Sequence, residues 1–457
     1  MTDQYLSLHS IITFAGVLLN RDENNLPKDL VYGGVVRTRV SAQCWRRAER
    51  MHLRDRANEG TGPLAGYAFG LRTREWGIKT AEELIALGWD KAEADEIAKA
   101  VLTACRLKFG DEGKRPDLTK VAVFAPADAA VKLAAIISDH KDELTPWLIM
   151  DRENRVKAAK KEAAKKARGT RRGRAAAASA EDAPLTGSTA DIVGDEEEAE
   201  ANPLPKRIRD EAIAALAPAD AIDIALYGRM LAEIVESPNV DGAIQSMHPF
   251  TVDEGVTDED FFTAVDDEKD RRKRYALDAI DASFGDDSGA AITGYQSLTS
   301  GTFYRNAVLD REQLRRNLRN GGMDASQVDA AANAAERAFV EAFSHAVPPA
   351  KKTSTGALGV LPKLVLAVSG NRPVNYAAAF EQPLTAAAGG DPVSIQAVRR
   401  LIRQHQLAAR KLPGISRGIV LTYDIDVADL LQKFRSDDAA GVTEVDTPGE
   451  LAHGGRA

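Results

Sequence analysis

The sequence of 457 residues is poor in the features that build disulfide, metal or membrane proteins. Only two cysteines occur, Cys44 and Cys105, too few and too isolated for a disulfide scaffold or a zinc ribbon. The longest early apolar run, residues 11–19, has no basic segment before it and is far too short to span a bilayer. We therefore expect a soluble, cytoplasmic protein.

Sequence signatures of common catalytic sites are also missing. The sequence has no Gly-x-x-x-x-Gly-Lys-Ser/Thr phosphate loop, His-Glu-x-x-His, Cys-x-x-Cys or Gly-x-Ser-x-Gly, and its seven histidines form no pair at metal-binding spacing. Asp266 and Asp267 are adjacent acids, which in a loop are usually solvated. We expect no metal, no cofactor and no enzymatic activity, with His248 and Asp22 as the two residues to watch for catalysis.

Charge is distributed unevenly along the chain. The net charge of −8 argues against a uniformly basic nucleic-acid-binding protein, but binding depends on local patches. Between residues 37 and 56, seven arginines stand against two acids, Glu49 and Asp55. Residues 152–174 are also basic and residues 181–200 acidic, with few apolar anchors. We expect 152–204 to be a mobile linker; a basic arm that contacts nucleic acid is the alternative.

Residues 20–50 combine a loop, a short strand and a helix. Asn, Asp and Pro27 favour turns in 20–28, and Gly33-Gly34 lets the main chain approach another group closely or bend. Ser41 is the expected N-cap of a helix that begins at Ala42. In the first strand, residues 4–14, His9 is expected to be structural.

That helix has two stripes. One, with Trp45, Ala48 and His52, is suited to burial. The other carries Gln43, Arg46 or Arg47, Arg50 and Arg54. A helix N-terminus with a serine, a glutamine and a row of arginines is suited to binding phosphates along a strand. A basic helix face is also often simply solvated, so charge alone leaves both interpretations open.

The remaining sequence predicts a mixed α and β chain. Residues 57–150 are expected to be mainly helical, with a capping box at Thr80 and another helix after Pro126. Strands are predicted at 294–305 and 364–368, and helical structure over 314–343. The polar, Gly-rich tail after residue 437 is expected to be frayed.

Five motif blocks, taken in order, resemble the backbone subunit of the type I-E CRISPR Cascade surveillance complex (CasC family, RAMP superfamily). The first block is Asn20-Arg21-Asp22, Pro27-Lys28, Gly33-Gly34 and residues 37–47. The later blocks are residues 221–230, 239–267, 294–305 and 347–352. The sequence departs from the family pattern at Ala42, where a second serine is usual, at Arg46, where lysine is common, at residues 249–252, which lack a second histidine, and at Asn306, where tyrosine is usual.

The resemblance implies an α+β fold: a modified RRM/ferredoxin-like palm with inserted helical fingers and a β-hairpin thumb. The implied domains are the first part of the palm at 1–56, the fingers at 57–204 including the charged linker 152–204, a palm continuation at 205–237, the thumb at 238–268, and the rest of the palm with the frayed tail at 269–457.

The resemblance also implies a binding function. Several copies would stack as an open helical filament along one CRISPR RNA, hold its sugar–phosphate backbone, and leave its bases to pair with target DNA beside other Cascade subunits. The implied phosphate contacts are Lys28, Arg39, Ser41, Gln43, Arg46, Arg50, Lys351 and Lys352. Met247 and His248 are candidate thumb residues. Two alternatives stay open: a stand-alone CRISPR RNA endonuclease of the same superfamily, and a protein-interaction scaffold whose basic face is solvated.

Overall fold

The structure, a computed structural model, describes residues 3–110, 115–154, 156–157, 203–217, 221–230, 239–265, 290–386, 388–434 and 441–452. Most of the charged segment 152–204 lies outside these ranges, as do Asp266 and Asp267. The chain divides into two compact units. We call residues 1–67, 225–228 and 242–457 the sheet unit, and residues 68–224 and 229–241 the helical unit.

Strands and helices are mixed along the whole chain. The strands are β1 (Tyr5–Val17), β2 (Asp29–Tyr32), β3 (Val35–Thr38), β4 (Gly70–Thr73), β5 (Val123–Pro126), β6 (Ile244–Ser246), β7 (Phe250–Thr251), β8 (Val256–Val265), β9 (Ala290–Asp310), β10 (Leu364–Gly370), β11 (Gly418–Leu421) and β12 (Val442–Glu444). The α-helices are α1 (Ala42–Asn58), α2 (Trp76–Ala86), α3 (Lys91–Ala104), α4 (Ala129–Asp139), α5 (141–154), α6 (Lys206–Ala215), α7 (Ile222–Tyr227), α8 (Arg311–Asn320), α9 (Ala325–His345), α10 (Lys352–Thr355), α11 (Val393–Lys411), α12 (Ile425–Phe434) and α13 (Pro448–Ala452).

The sheet unit is built on a sheet with the order β12-β11-β10-β1-β9-β6, and β7 and β8 also pair with β9. β1 is antiparallel to both β9 and β10, so Ile11 lies opposite Tyr304 and Ile12 opposite Phe303. Because neighbouring residues of a strand point to opposite faces, the two faces carry separate hydrophobic clusters. Ile11 and Tyr304 pack with α11, whereas Ile12 and Phe303 pack with Trp45 of α1.

The helical unit packs helices α2 to α6 around a core that includes the fully buried Trp76. Ile208 and Ala212 of α6 belong to this core, so the compact unit continues past residue 204, where the predicted fingers end. The predicted capping box at Thr80 is wrong: α2 begins at Trp76 and Thr80 is buried inside the helix. The Trp76 indole donates to the Val123 carbonyl at 3.0 Å, a contact made by distant residues that local capping rules do not anticipate.

One prediction in the sheet unit is confirmed and another is corrected. Residues 314–343 are helical as expected, in two helices, α8 and α9, with Gly322 at φ +91 between them. The tail is not frayed over 442–452: β12 pairs in parallel with β11, and Leu451 of α13 is buried. The apolar residues of this short segment pack into a core formed by residues that are distant in sequence.

A two-stranded arm extends from the sheet. β8 pairs with the first part of β9, from Val256 opposite Ser300 to Phe262 opposite Gly294. The second strand of this arm therefore lies beyond the predicted thumb, 238–268. The predicted α+β class, a sheet-based palm with inserted helices and a β-hairpin, is confirmed. No helix in the described ranges is long and apolar enough to cross a membrane.

Candidate nucleic-acid interface

The N-terminus of α1 is held by polar contacts from three parts of the chain. The Ser41 hydroxyl accepts from the Cys44 amide at 3.3 Å, which confirms the predicted N-cap. The Asn20 side chain accepts from the Ser41 amide at 2.9 Å. Nδ1 of His248 accepts from the Ala42 amide at 2.8 Å. The first turn is thus fixed in place, with the positive end of the helix dipole at this point.

Basic side chains surround this helix end. Partial loss of hydration lowers the pKa of His248, and the nearby charges of Arg39 and Lys28 lower that pKa further. Burial raises the pKa of the Cys44 thiol, and Arg47 and Lys28 oppose that rise. The Arg39 amide also donates to the Lys28 carbonyl at 2.8 Å. Lys28 and Arg39 act on His248, and Lys28 and Arg47 act on Cys44, so the three basic residues lie near the N-terminus of α1. We call these three side chains, with Ser41, Gln43 and His248, the basic cluster.

The orientation of α1 decides which arginine belongs to this cluster. Trp45 and Ala48 are buried and His52 is half-buried, which confirms the predicted apolar stripe. Gln43 and Arg47, four residues apart, are exposed. Neither Lys28 nor Arg47 has a hydrogen-bond or ion-pair partner among the residues that the structure describes.

Of the two predicted phosphate contacts Arg46 and Arg50, Arg46 has contacts within the protein that bear on its role. Arg46 is half-buried; its guanidinium donates to the Tyr227 carbonyl and lies over the Tyr227 ring, 5.6 Å from the centroid. Arg50 is also half-buried. The sequence left open whether Arg46 or Arg47 faces the polar side, and Arg47 is the exposed one. Arg46 contributes to packing in the sheet unit.

A buried ion pair joins α1 to strand β9 of the sheet. Glu49 and Arg305 form a salt bridge with side chains 1% and 5% exposed. The Tyr227 hydroxyl donates to the same carboxylate at 3.2 Å, and the Arg305 guanidinium lies 4.1 Å from the Trp45 ring centroid. The sequence analysis missed this role. The signal was present, because Glu49 is an isolated acid beside the apolar stripe of a basic helix.

The glycine pair and Arg37 hold the β2–β3 hairpin. Gly33 has φ +63, and a Cβ there would lie 1.7 Å from the Glu381 carbonyl oxygen, which confirms the expected close approach. Arg37 is fully buried and donates to backbone carbonyls, including those of Thr251 at 2.8 Å and Phe380 at 3.2 Å. This anchoring fixes the chain that leads directly into Arg39 and Ser41.

The second predicted basic segment is anchored on the same face of the sheet. Lys351 and Lys352 are exposed, and Lys351 adopts φ +54 at the start of α10. Val347 and Ala357, on either side of this loop, pack in the hydrophobic cluster that contains Trp45. Met247 is separated from this group, because it packs against the cluster on the opposite face.

The two residues watched for catalysis have structural contacts. One carboxylate oxygen of Asp22 accepts from the Asn24 and Leu26 amides, both at 2.9 Å, and forms the loop. Since His248 accepts at Nδ1, its neutral ring carries the proton on Nε2 and can donate there. His9 is buried and hydrogen-bonded to Tyr304, as a structural residue would be. In the described ranges, no three His, Cys, Asp or Glu side chains could hold a metal ion.

The β8–β9 arm carries exposed aromatic side chains that the sequence analysis did not single out as site residues. Phe261 and Tyr295 face each other across the two strands, with ring centroids 5.2 Å apart, and are 54% and 74% exposed. Phe262, on the other side of the strand, is also exposed. Apolar rings in water on a narrow arm indicate a contact surface. The adjacent Phe261 and Phe262, which follow the acidic and polar residues 257–260, were the signal for it.

Comparison with known proteins places this geometry in a family. No curated protein sequence matches the chain significantly. A solved chain titled "CRISPR RNA-guided surveillance complex, pre-nicking" is 27% identical, with a TM-score of 0.68 over 99% of this chain and 100% of that one. A second, titled "CRISPR RNA-guided surveillance complex", shares the fold at 23% identity and a TM-score of 0.62, over 98% of both chains. The Cas family model described as CT1975-like protein matches residues 6–433. The chain therefore belongs to the CT1975-like protein family.

Proposed function

We propose that this chain is a CRISPR RNA-binding backbone subunit of a Cascade surveillance complex, of the type I-E kind, working in the cytoplasm. The observation that carries the proposal is the basic cluster at the N-terminus of α1, in a chain similar over its full length to one from a CRISPR RNA-guided surveillance complex. Further copies of the chain, other Cascade subunits and the target DNA strand are the proposed partners.

The basic cluster suits contacts with a sugar–phosphate backbone. Lys28, Arg39 and Arg47 supply charge, while Gln43 and the Nε2–H of His248 supply neutral donors beside the helix end. Such groups recognise phosphate oxygens and carry no sequence information. Sequence selection is then left to base pairing between guide and target. Lys351 and Lys352 extend the positive surface on the same face of the sheet.

The arm suits contacts with bases. Aromatic rings stack on every base because every base has a π-face, at about 1–3 kcal/mol per base. Phe261 and Tyr295 of each copy would therefore contact a base, and successive copies would repeat this contact at a regular interval along the guide. Several copies in head-to-tail contact would form an open filament along one guide.

The proposal includes no catalytic step. A general base needs a ring nitrogen that is free to accept a proton. Nδ1 of His248 already accepts from the Ala42 amide, and Nε2 carries the proton of the neutral ring. Cleavage of repeat RNA by the purified protein, lost in His248→Ala, would support the endonuclease alternative instead. Self-assembly without RNA, unaffected by salt, would support the scaffold, because phosphate binding weakens steeply as salt rises.

The test is to purify the chain with its neighbouring gene products and sequence the nucleic acid that comes with it. We expect a short RNA of uniform length with a constant, repeat-derived end and a variable middle. Lys28→Glu with Arg47→Glu should lose this RNA and keep its circular dichroism spectrum. Arg319→Glu with Arg337→Glu, at two exposed positions outside the basic cluster, is the control of equal charge change and should keep the RNA. Equal RNA in both double variants contradicts the proposal.

A further inference from the structure

One of the groups that cap the N-terminus of α1 can change its charge near neutral pH. Three amides at this helix end are bonded to side chains: that of Ser41 to Asn20, that of Ala42 to His248, and that of Cys44 to Ser41. An amide oxygen and a hydroxyl accept at any ordinary pH, whereas an imidazole nitrogen accepts only while it is unprotonated. Helix caps are usually serine, threonine, asparagine or aspartate. The histidine therefore makes one contact of this helix end dependent on a proton.

The neighbouring backbone holds the His248 ring in this position. Strands β6 and β7, on either side of it, both pair with β9. The carbonyl of Pro249, the next residue, accepts from the Val40 amide at 2.9 Å. Nδ1 is thus directed at the Ala42 amide, while Nε2 of this exposed residue has no hydrogen-bond partner within the described ranges. The ring can contact the helix with one nitrogen and a ligand with the other.

In the free chain, the surroundings of His248 favour the neutral ring. Partial loss of hydration and the charges of Arg39 and Lys28 lower the pKa of His248. From α1, the positive end of the helix dipole and the nearby exposed cation of Arg47 act in the same direction. A proton on Nδ1 would also face the Ala42 N–H, donor against donor. Neutral His248 therefore serves as a cap of α1.

Bound phosphates would reverse this balance. Each phosphate of a guide carries a negative charge, and an opposite charge within about 4–6 Å favours the charged form of a titratable group. The Ala42 amide would keep an acceptor, because a phosphate oxygen can replace Nδ1 at a helix N-terminus. The pKa of His248 should therefore be higher with the guide than without it.

We propose that His248 is a positioning residue whose proton is linked to guide binding: neutral, it caps α1 in the free chain, and it becomes an imidazolium ion when phosphates occupy the basic cluster. This inference rests on the proposed guide-binding function. The proton comes from solvent, and no covalent bond forms or breaks. The phosphate then caps the helix and pairs with the imidazolium ion. A fixed cap, as an asparagine would be, predicts no linked proton.

The affinity for RNA should therefore depend on pH. Because the complex binds more protons than the free chain, affinity rises as pH falls through the range between the two pKa values of His248. A difference of one pKa unit corresponds to about tenfold in affinity. The added cation should also make the slope of log affinity against log salt steeper, by up to about 0.7 for one contact with a single strand.

The experiment uses the full chain, freed of nucleic acid, and a labelled guide RNA. Affinity is measured between about pH 8 and about pH 6 at several salt concentrations, and proton uptake is measured by calorimetry in buffers of different ionisation enthalpy. We expect the affinity to increase severalfold, up to about tenfold, with uptake of a fraction of one proton per chain. Circular dichroism at each pH checks that the chain stays folded.

Two variants separate the linked proton from a structural cap. His248→Asn places an amide oxygen where Nδ1 lies, so it can accept from the Ala42 amide and cannot titrate. Its affinity should be independent of pH, and its salt slope should be the same at both ends of the pH range. His140→Asn, the same substitution outside the basic cluster, should keep the pH dependence of the original protein.

Three results would overturn the inference. An affinity that does not change with pH in the original protein excludes a linked proton. A pH dependence that persists in His248→Asn assigns the proton to another group. An affinity that falls with falling pH means that loss of the cap outweighs the gain at the phosphate. A chain that binds RNA at no pH contradicts the proposed function instead, whereas RNA binding that ignores pH contradicts this inference alone.

Discussion

Two adjacent arginines of α1 provide a sharp test of the proposed interface. Arg47 is exposed at the basic cluster, whereas Arg46 is half-buried against Tyr227. Replacing each by glutamine removes the same charge from neighbouring positions of one helix. We expect Arg47→Gln to weaken RNA binding without changing the free energy of unfolding. Arg46→Gln should mainly lower the free energy of unfolding.

The magnitudes follow from the contacts. An exposed side chain without a partner contributes within about 0.5 kcal/mol to stability, so unfolding of Arg47→Gln should match the original protein. Its loss should make the salt slope for single-stranded RNA shallower by about 0.7. Arg46→Gln loses a charged hydrogen bond to the Tyr227 carbonyl and a cation–π contact. After discounting for partial exposure, we expect a loss of about 1–2 kcal/mol in the free energy of unfolding.

The assay pairs urea unfolding with titration of a labelled guide RNA at several salt concentrations. The two variants should separate: one changes only the salt slope, the other mainly the urea midpoint. If Arg46→Gln changes the salt slope at full stability while Arg47→Gln changes nothing, the assignment of the two arginines is incorrect. This would also restore Arg46 as a phosphate contact, the role that its motif position suggests.

Two predictions concern the interior of the sheet unit. Burial lowers the pKa of His9 to about 3, with a further contribution from His405, and lowers that of His405 to about 4. The folded state therefore favours the neutral rings, whereas the unfolded chain binds protons as pH falls through about 6.5. We expect the free energy of unfolding, measured in urea, to be about 2 kcal/mol lower per histidine at pH 5 than at neutral pH. Glu49→Ala leaves the Arg305 charge buried and unpaired and should cost about 3–5 kcal/mol of unfolding free energy.

Each of these two predictions has its own control. His405→Gln, in which one titrating ring is gone, should show a smaller change between pH 7 and pH 5; equal unfolding free energies at both pH values in the original protein would refute the argument. Glu49→Leu with Arg305→Met removes both charges and should recover part of the stability lost in Glu49→Ala. If the double variant is less stable than the single variant, an unpaired buried charge is not the cause.

Local spacing in the sequence was enough for several features of the interface. Ser41 as N-cap and the buried stripe of Trp45 and Ala48 depend on residues within one or two turns of each other. The Gly33-Gly34 pair marked a close approach of the main chain, although its partner, Glu381, is distant in sequence. The order of the motif blocks along the chain also indicated the family and the α+β fold. These features come from short-range geometry and from the resemblance, both of which the sequence carries directly.

Only the tertiary structure decided which side chains face solvent. The choice between Arg46 and Arg47 depends on Tyr227, and the burial of Glu49 depends on Arg305, residues far away in sequence. The start of α2 at Trp76 was likewise set by distant contacts, where a local capping pattern indicated Thr80. Propensity and periodicity describe one element at a time, whereas burial is decided by the elements that pack against it.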